Sequence, residues 1–300
     1  MKNFVAAGVQ IAVKPNDVEA NLNKVVKWID KAVDEYEAEL IVFPESITTG
    51  FDPAMSADEL YELVSPIPGK VTDPVAEAAK KHGVYVVLPT YECGEEPGVV
   101  YNSSALIGPD GEVVGVYRKT HPFPTERLAG GGWATPGGEA KVYDTELGKI
   151  GMILCYDGDF PELSRLLAVR GAEVILRPSA LLRSFDIWEM TNKARAYDNH
   201  VYMIGVNAVG PDAGNNYNFG HSMIVSPIAQ KLAQARGVEE IIAVELDNDP
   251  IKNVSFGTKS PMIFDHLEDR NIGMYEEILK EAKSQFEPSK RIPYKKTENK

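Results

Sequence analysis

The chain has 300 residues, 44% of them apolar and 25% charged, with a formal net charge of −13 at neutral pH. That balance describes an ordinary globular protein long enough to bury a substantial core. The acidity argues against nucleic acid or an anionic membrane surface as a partner, and no apolar stretch approaches the ~18 residues a membrane span needs.

Met1-Lys2-Asn3-Phe4 leads directly into a strand-like segment, without the apolar core and small-residue cleavage site of a signal peptide. Two cysteines, Cys93 and Cys155, make no disulfide framework, and no cysteine/histidine cluster has zinc-like spacing. The expected setting is cytoplasmic.

Taken in order, Phe4 to Val13 reads as a strand. Asn16 with Glu19 reads as a capping box, and Val18, Leu22, Val25, Ile29, Ala32, Val33 and Tyr36 recur at helical period. Leu40 to Phe43 is a short apolar strand ending in Pro44-Glu45. A helix over Asp73 to His82 stops at Gly83, and Val84 to Leu88 is a buried-type strand. Tyr101 to Ile107 and Glu112 to Arg118 flank Gly108-Pro109-Asp110-Gly111, a hairpin signal.

The apolar run Lys149 to Leu154 ends at Cys155, and a Gly/Asp/Pro turn follows it. A helix through Leu163 to Val169 then closes at Gly171. Strand Glu173 to Leu176, a helix from Asp186 to Asn199, and strands at Val201 to Val206, Met223 to Val225 and Ile241 to Leu246 complete the pattern. No linker divides the chain. The expectation is one layered α/β domain over residues 1–287, with a polar, basic tail over 288–300 lying on the surface or reaching a neighbouring subunit.

Cys155 carries the most chemistry. A thiol between an apolar strand and a helix sits at an elbow that exposes the side chain and gathers backbone N–H groups. Its place near a helix N-terminus is expected to favour the thiolate. Two other reactive groups also follow strand-like runs: Glu45 after Ile41 to Phe43, and Lys119 after Val114 to Tyr117. A carboxylate to move protons, an ammonium to meet an oxyanion and a thiol to attack carbon suffice for C–N bond hydrolysis. Each taken alone has a plainer reading, as a small core residue, a solvated glutamate or a surface lysine.

Phe43-Pro44-Glu45, Tyr117-Arg118-Lys119 and Cys155-Tyr156-Asp157 through Phe160-Pro161-Glu162 resemble, in order, the three signature blocks of the carbon–nitrogen hydrolase (nitrilase) superfamily. Gly171-Ala172-Glu173, the Gly220 to Pro227 run and the opening Val9-Gln10-Ile11-Ala12 are similar to it as well, so the likeness spans about residues 4 to 247. The resemblance implies a four-layer α-β-β-α sandwich and subunits paired into a homodimer or larger homo-oligomer. It implies a Glu-Lys-Cys triad working without metal or organic cofactor, with Glu45 as general base, Lys119 as stabiliser of the intermediate and Cys155 as nucleophile through a thioester. It also implies a second glutamate after the lysine, a place that Glu126 fits. Ala229 departs from the pattern, standing where the family often has glycine.

The substrate pocket is expected among Phe51, His121, Phe123, Trp133, Tyr156, Phe160, Leu181, Leu182, Phe185 and Trp188, a set that favours a neutral or apolar acyl portion. Arg177 or Arg183 could instead hold a substrate carboxylate. Hydrolysis of a primary amide to acid and ammonia is the first reading. N-carbamoyl amine or amino acid hydrolysis, releasing CO2 and ammonia, is second and a nitrilase third. A catalytically silent scaffold for assembly is the non-enzyme alternative.

Overall fold

The computed structural model describes residues 1–252, 254, 255, 260–286 and 288–294. Successive side chains point to opposite faces of a strand, and the core strands are buried on both faces, which divides the molecule into layers. The first sheet contains β1 (Phe4–Gln10), β2 (Leu40–Val42), β3 (Tyr85–Cys93), β4 (Val100–Ile107), β5 (Val113–Arg118) and β14 (Glu240–Leu246), in the order β14-β1-β2-β3-β4-β5. Ala6, Leu40, Val42, Val87 and Leu106 face inward to a core shared with the second sheet. Their strand neighbours Ala7, Val9, Ile41, Val86, Leu88 and Ile107 face outward. There they pack under α1 (Val18–Tyr36) and α3 (Asp73–His82) through Val25, Ile29, Val75 and Ala79.

The second sheet contains β6 (Val142–Thr145), β7 (Gly148–Met152), β8 (Val174–Ser179), β9 (Tyr202–Asn207), β12 (Met223–Val225) and β13 (Lys231–Gln234), ordered β13-β12-β9-β8-β7-β6. It is covered by α4 (Pro161–Val169) and α5 (Phe185–Asn199), whose Leu163, Leu167, Trp188 and Ala196 join the shared core. A small hairpin of β10 (Val209–Pro211) and β11 (Tyr217–Phe219) stands apart. The layers are therefore helix, sheet, sheet, helix, as expected.

Some local expectations are corrected. The first strand stops at Gln10, not Val13. The α1 cap is Asp17, whose side chain accepts from the Ala20 N–H at 3.1 Å, while Asn16 turns into the left-handed region at φ +57°. The capping box occurs instead at α2 (Ala57–Leu63), where Ser56 and Glu59 bond reciprocally. That seven-residue helix is too short to show a hydrophobic period.

The tail does not hang free where it is described. Arg127 donates to the Ile292 carbonyl at 2.6 Å and Tyr294 donates to the Thr120 carbonyl. Residues 295–300 of the expected tail lie outside the described residues.

Ala229 sits in the β12–β13 turn at φ +62°, with its N–H bonded to the Ser226 carbonyl at 2.9 Å. A left-handed residue carrying a Cβ costs about 1–2 kcal/mol, partly offset against glycine's greater entropy loss. Ala229→Gly should therefore stabilise the protein by about 0.5–1 kcal/mol. A thermal melt should show Tm rising by about 1–3 °C, and an unchanged or lower Tm counts against strain at this turn.

Candidate active site

Three strands bring the reactive groups to one rim. β2 and β3 run parallel, and β5 runs parallel to both because β4 is antiparallel to β3 and to β5. Glu45 and Lys119 therefore both follow the C-terminal ends of strands on the same edge of one sheet. Backbone pairing carries each strand a little further: Phe43 N–H donates to the Val87 carbonyl at 3.3 Å and Lys119 N–H to the Asn102 carbonyl at 2.8 Å. On the facing sheet Cys155 ends the run after β7, and Ile153 N–H still pairs with the Leu176 carbonyl at 2.9 Å.

The elbow is strained and tied down. Cys155 has φ +45°, a conformation that L residues rarely adopt outside constrained sites. It opens a short 3-10 turn, Cys155–Asp159, before α4 begins at Pro161. Asp157, fully buried, holds the turn against the lysine segment. One carboxylate oxygen accepts from Leu154 N–H at 2.9 Å and Tyr117 hydroxyl at 2.7 Å; the other accepts from His121 N–H at 2.9 Å. This single side chain couples the position of Cys155 to that of Lys119.

Lys119 is 1% exposed and its ammonium lies between two buried carboxylates, 2.7 Å from Glu45 Oε1 and 2.5 Å from Glu126 Oε2. Burial alone would lower the Lys119 pKa, but the charges of Glu126 and Glu45 outweigh it and hold it well above the lysine range. Burial raises Glu126, and Glu45 adds to that, against the opposing pull of Lys119. Two buried carboxyl groups thus share one ammonium. Glu126 is also fixed by accepting from Phe123 N–H at 2.8 Å, so it is not a solvated loop residue. Its turn packs directly against Gly132, where an added Cβ would come within 2.2 Å of the Glu126 carbonyl carbon.

Ala180 N–H donates to Glu45 Oε2 at 2.9 Å and also faces the Cys155 sulfur. Burial and then Glu45 push the Cys155 thiol up to about 12, while Lys119 and Arg177 pull the other way. The direction is opposite to the expected thiolate: at 5% exposure beside Glu45, burial favours the thiol form.

The thiol opens onto a cavity of about 20 Å³ lined by Phe51, Phe123, Ala180, Leu181, Leu182 and Arg183. A larger cavity of about 750 Å³ lies beyond Phe123 and Tyr156, whose rings meet edge-on at 5.3 Å. Of the reacting groups, Cys155 lines the smaller one. The larger has Arg127, Lys283, Lys290, Arg291 and His121 on its walls and no acidic residue among the described residues.

The family model for carbon-nitrogen hydrolases matches residues 5–255. The chain belongs to the carbon-nitrogen hydrolase family. It is 31% identical over 283 residues to a probable nitrilase of Schizosaccharomyces pombe, covering 93% of this chain and 99% of that protein. It is 30% identical to an omega-amidase of Xenopus laevis, covering 82% and 90%, and 34% identical to a formamidase of Bacillus cereus, covering 82% and 74%. Among solved structures, Nit3 of Saccharomyces cerevisiae superposes with a TM-score of 0.72 at 27% identity over 83% of this chain and 92% of that one. An amidase from Nesterenkonia shares the fold with a TM-score of 0.75 at 23% identity, over 93% and 97%.

The structure redistributes the expected pocket. Phe51, Phe123, Leu181 and Leu182 line the thiol cavity; Tyr156, His121 and Phe160 line the larger one. Trp133 lines neither, packing edge-on against Phe51 at 6.2 Å and Tyr91 at 6.5 Å. Trp188 is core, its indole donating to the His221 carbonyl at 2.7 Å, and Phe185 packs against His221.

Arg177 is not placed to hold a substrate. It is fully buried beneath the elbow and donates to the Cys155 carbonyl at 2.9 Å, Thr191 at 2.7 Å and Asn192 at 3.0 Å. An added Cβ on Gly158 would lie 2.1 Å from its Cζ, so glycine there lets the guanidinium through. The strand pattern that exposed Cys155 gave no sign that Arg177 points into the layer behind it.

Asn102, Asp157 and the Ala180 N–H escaped sequence reasoning. Asn102 lies within the hairpin strand and Ala180 contributes only backbone. For Asp157, adjacency to Cys155 in the signature run was the available clue.

Proposed function

We propose that the protein hydrolyses a primary amide to a carboxylic acid and ammonia, with Cys155 as nucleophile and Glu45 as base. The observation that carries this is the meeting of a buried thiol with a carboxylate–ammonium pair around the Ala180 N–H. The amidase names of two relatives support the choice of bond.

As Sγ attacks the carbonyl carbon, the thiol proton passes to Glu45 and an oxyanion forms, met by the Lys119 ammonium and the Tyr156 N–H. Collapse breaks the C–N bond, and ammonia leaves with the proton from Glu45. Water then attacks the thioester, giving its proton to Glu45; the C–S bond breaks and that proton returns to sulfur. Glu126 keeps Lys119 in place. The work is done by side chains and backbone, with no metal or organic cofactor.

The cationic wall of the larger cavity favours a second reading, a substrate that carries a carboxylate, such as an N-carbamoyl amino acid. Ammonia release measured over amides, carbamoyl compounds and nitriles, with CO2 monitored, distinguishes these. Release without CO2 from amides supports the first reading, CO2 with ammonia supports the second, and no release from any class rejects both.

A homodimer or larger assembly is part of the same proposal, supported by Leu166 and Val169 on α4 and Met190 on α5, which stand exposed. A reducing, cytoplasmic setting is supported by the two free cysteines.

A further inference from the structure

Asn102 lies on β4 opposite Tyr91 of β3 and is 1% exposed. Its amide nitrogen is 2.9 Å from Glu45 Oε1 and 2.9 Å from Glu126 Oε1. A side-chain amide has two N–H protons in one plane, and here each is committed to a different carboxylate. The reverse orientation would aim Oδ1 at two anions, so the carboxylates themselves dictate which atom faces them. Oδ1 is left buried without a hydrogen-bond partner among the described residues. Burying an unpaired acceptor costs about 1–3 kcal/mol, a cost that two charge-assisted bonds on the other side offset.

Lys119 closes the ring by bridging Glu45 Oε1 and Glu126 Oε2. Glu45 Oε1 thus receives two donors, Lys119 and Asn102. Glu45 Oε2 receives one N–H, that of Ala180, which also faces the sulfur. The two oxygens of one carboxylate are held for different tasks.

We propose that Asn102 is a positioning residue: by giving one proton to each carboxylate it keeps Glu45 and Glu126 as two separate anions and reserves Glu45 Oε2 for the Cys155 proton. The inference rests on Glu45 being the base of the reaction proposed above. Two carboxylates that close together and share one ammonium tend to take up a proton between them. A protonated Glu45 cannot receive the thiol proton. The other ionisable groups facing the pair are Lys119 after β5, Cys155 at the elbow and Tyr91 of β3, whose hydroxyl donates to the Phe51 carbonyl at 2.6 Å. Arg177 of β8 acts on the thiol from behind. Of these, Lys119 donates to the carboxylates, but it joins them; Asn102 is the neutral side chain that satisfies each. Burial and Glu45 hold the Glu126 carboxyl above its ordinary range, and the hydrogen bond from Asn102, with Lys119, works against that rise.

The test is the pH profile of kcat/KM for ammonia release in Asn102→Leu, which keeps the branched shape and removes both donors. The acid limb should move up by about one pH unit or more, a tenfold effect on that limb. The lost rate should return at higher pH, with KM changed less than about threefold, because a protonated base removes turnover rather than uniform binding. Asn102→Ser leaves room for a water to replace one donor and should show a smaller shift in the same direction. A folded Asn102→Leu enzyme whose acid limb overlays the wild-type limb, with equal loss at every pH, overturns the proposal. If the leucine variant does not fold, the serine variant decides by the same criterion. Failure of the wild-type protein to release ammonia from any substrate class would sink the hydrolase reading itself, and is seen before any variant is compared.

Discussion

Cys155→Ala should lower ammonia release by about 10⁵-fold or more, the scale seen when a hydrolase loses its nucleophile, while the melting transition stays close to that of the wild type. The elbow should survive because it is held by Asp157 on one side and by Arg177 on the Cys155 carbonyl on the other, neither of which needs the sulfur. Only one small side chain is trimmed next to a cavity of about 20 Å³. Activity is lost because the acyl bond is formed on the sulfur that the substitution removes. Burial and Glu45 push the thiol pKa up, which disfavours a standing thiolate and makes proton transfer to Glu45 part of the attack. Circular dichroism and an ammonia assay on the same preparation check both halves. Turnover that persists in a folded alanine variant would remove Cys155 from the mechanism.

Lys119→Met should be costly in a second way. Methionine fills much of the same volume but leaves Glu45 and Glu126 facing each other, buried, with no cation between them. Breaking a buried ion pair by removing one partner costs about 3–5 kcal/mol, and turnover should fall below detection because the oxyanion loses its charged donor. The sign of the pH dependence follows from the carboxyl groups. Glu126 is already raised by burial and by Glu45, with Lys119 the chief opposing influence. Removing Lys119 raises it further. A carboxyl group with a folded pKa above its unfolded value favours folding at low pH, and that contribution is lost as pH rises through the folded pKa. The instability of Lys119→Met relative to the wild type should therefore be largest under alkaline conditions and shrink on acidification. Urea denaturation at two pH values reads this directly, and a pH-independent difference would contradict the buried-anion account.

Much of the layered fold was legible because each core strand is an apolar run closed by a turn residue. α1 showed helical spacing and α3 a clear stop at Gly83. α1 ends at Tyr36 and α3 at His82, with Gly83 in the left-handed region, as the pattern predicted. The misses have physical reasons. Asn16 and Asp17 are both good caps, and only the path of the preceding backbone selects Asp17. β6, β10, β11 and β13 are three or four residues long with mixed burial, too short for a period-two pattern to stand out.

At the site, residue types and their places after strand ends were readable from the chain: Glu45, Lys119 and Cys155, and Glu126 through family likeness. Sequence alone determined which reactive groups this protein owns and that each follows a strand, because apolar runs and their terminators are local properties. Tertiary structure decided what those groups are. It buried Cys155 so that the thiol form is favoured, turned Arg177 into a prop beneath the elbow, and gave Asn102 two carboxylates to hold. Burial and the charges of residues distant in sequence set these outcomes, and neither is written in the order of neighbouring residues.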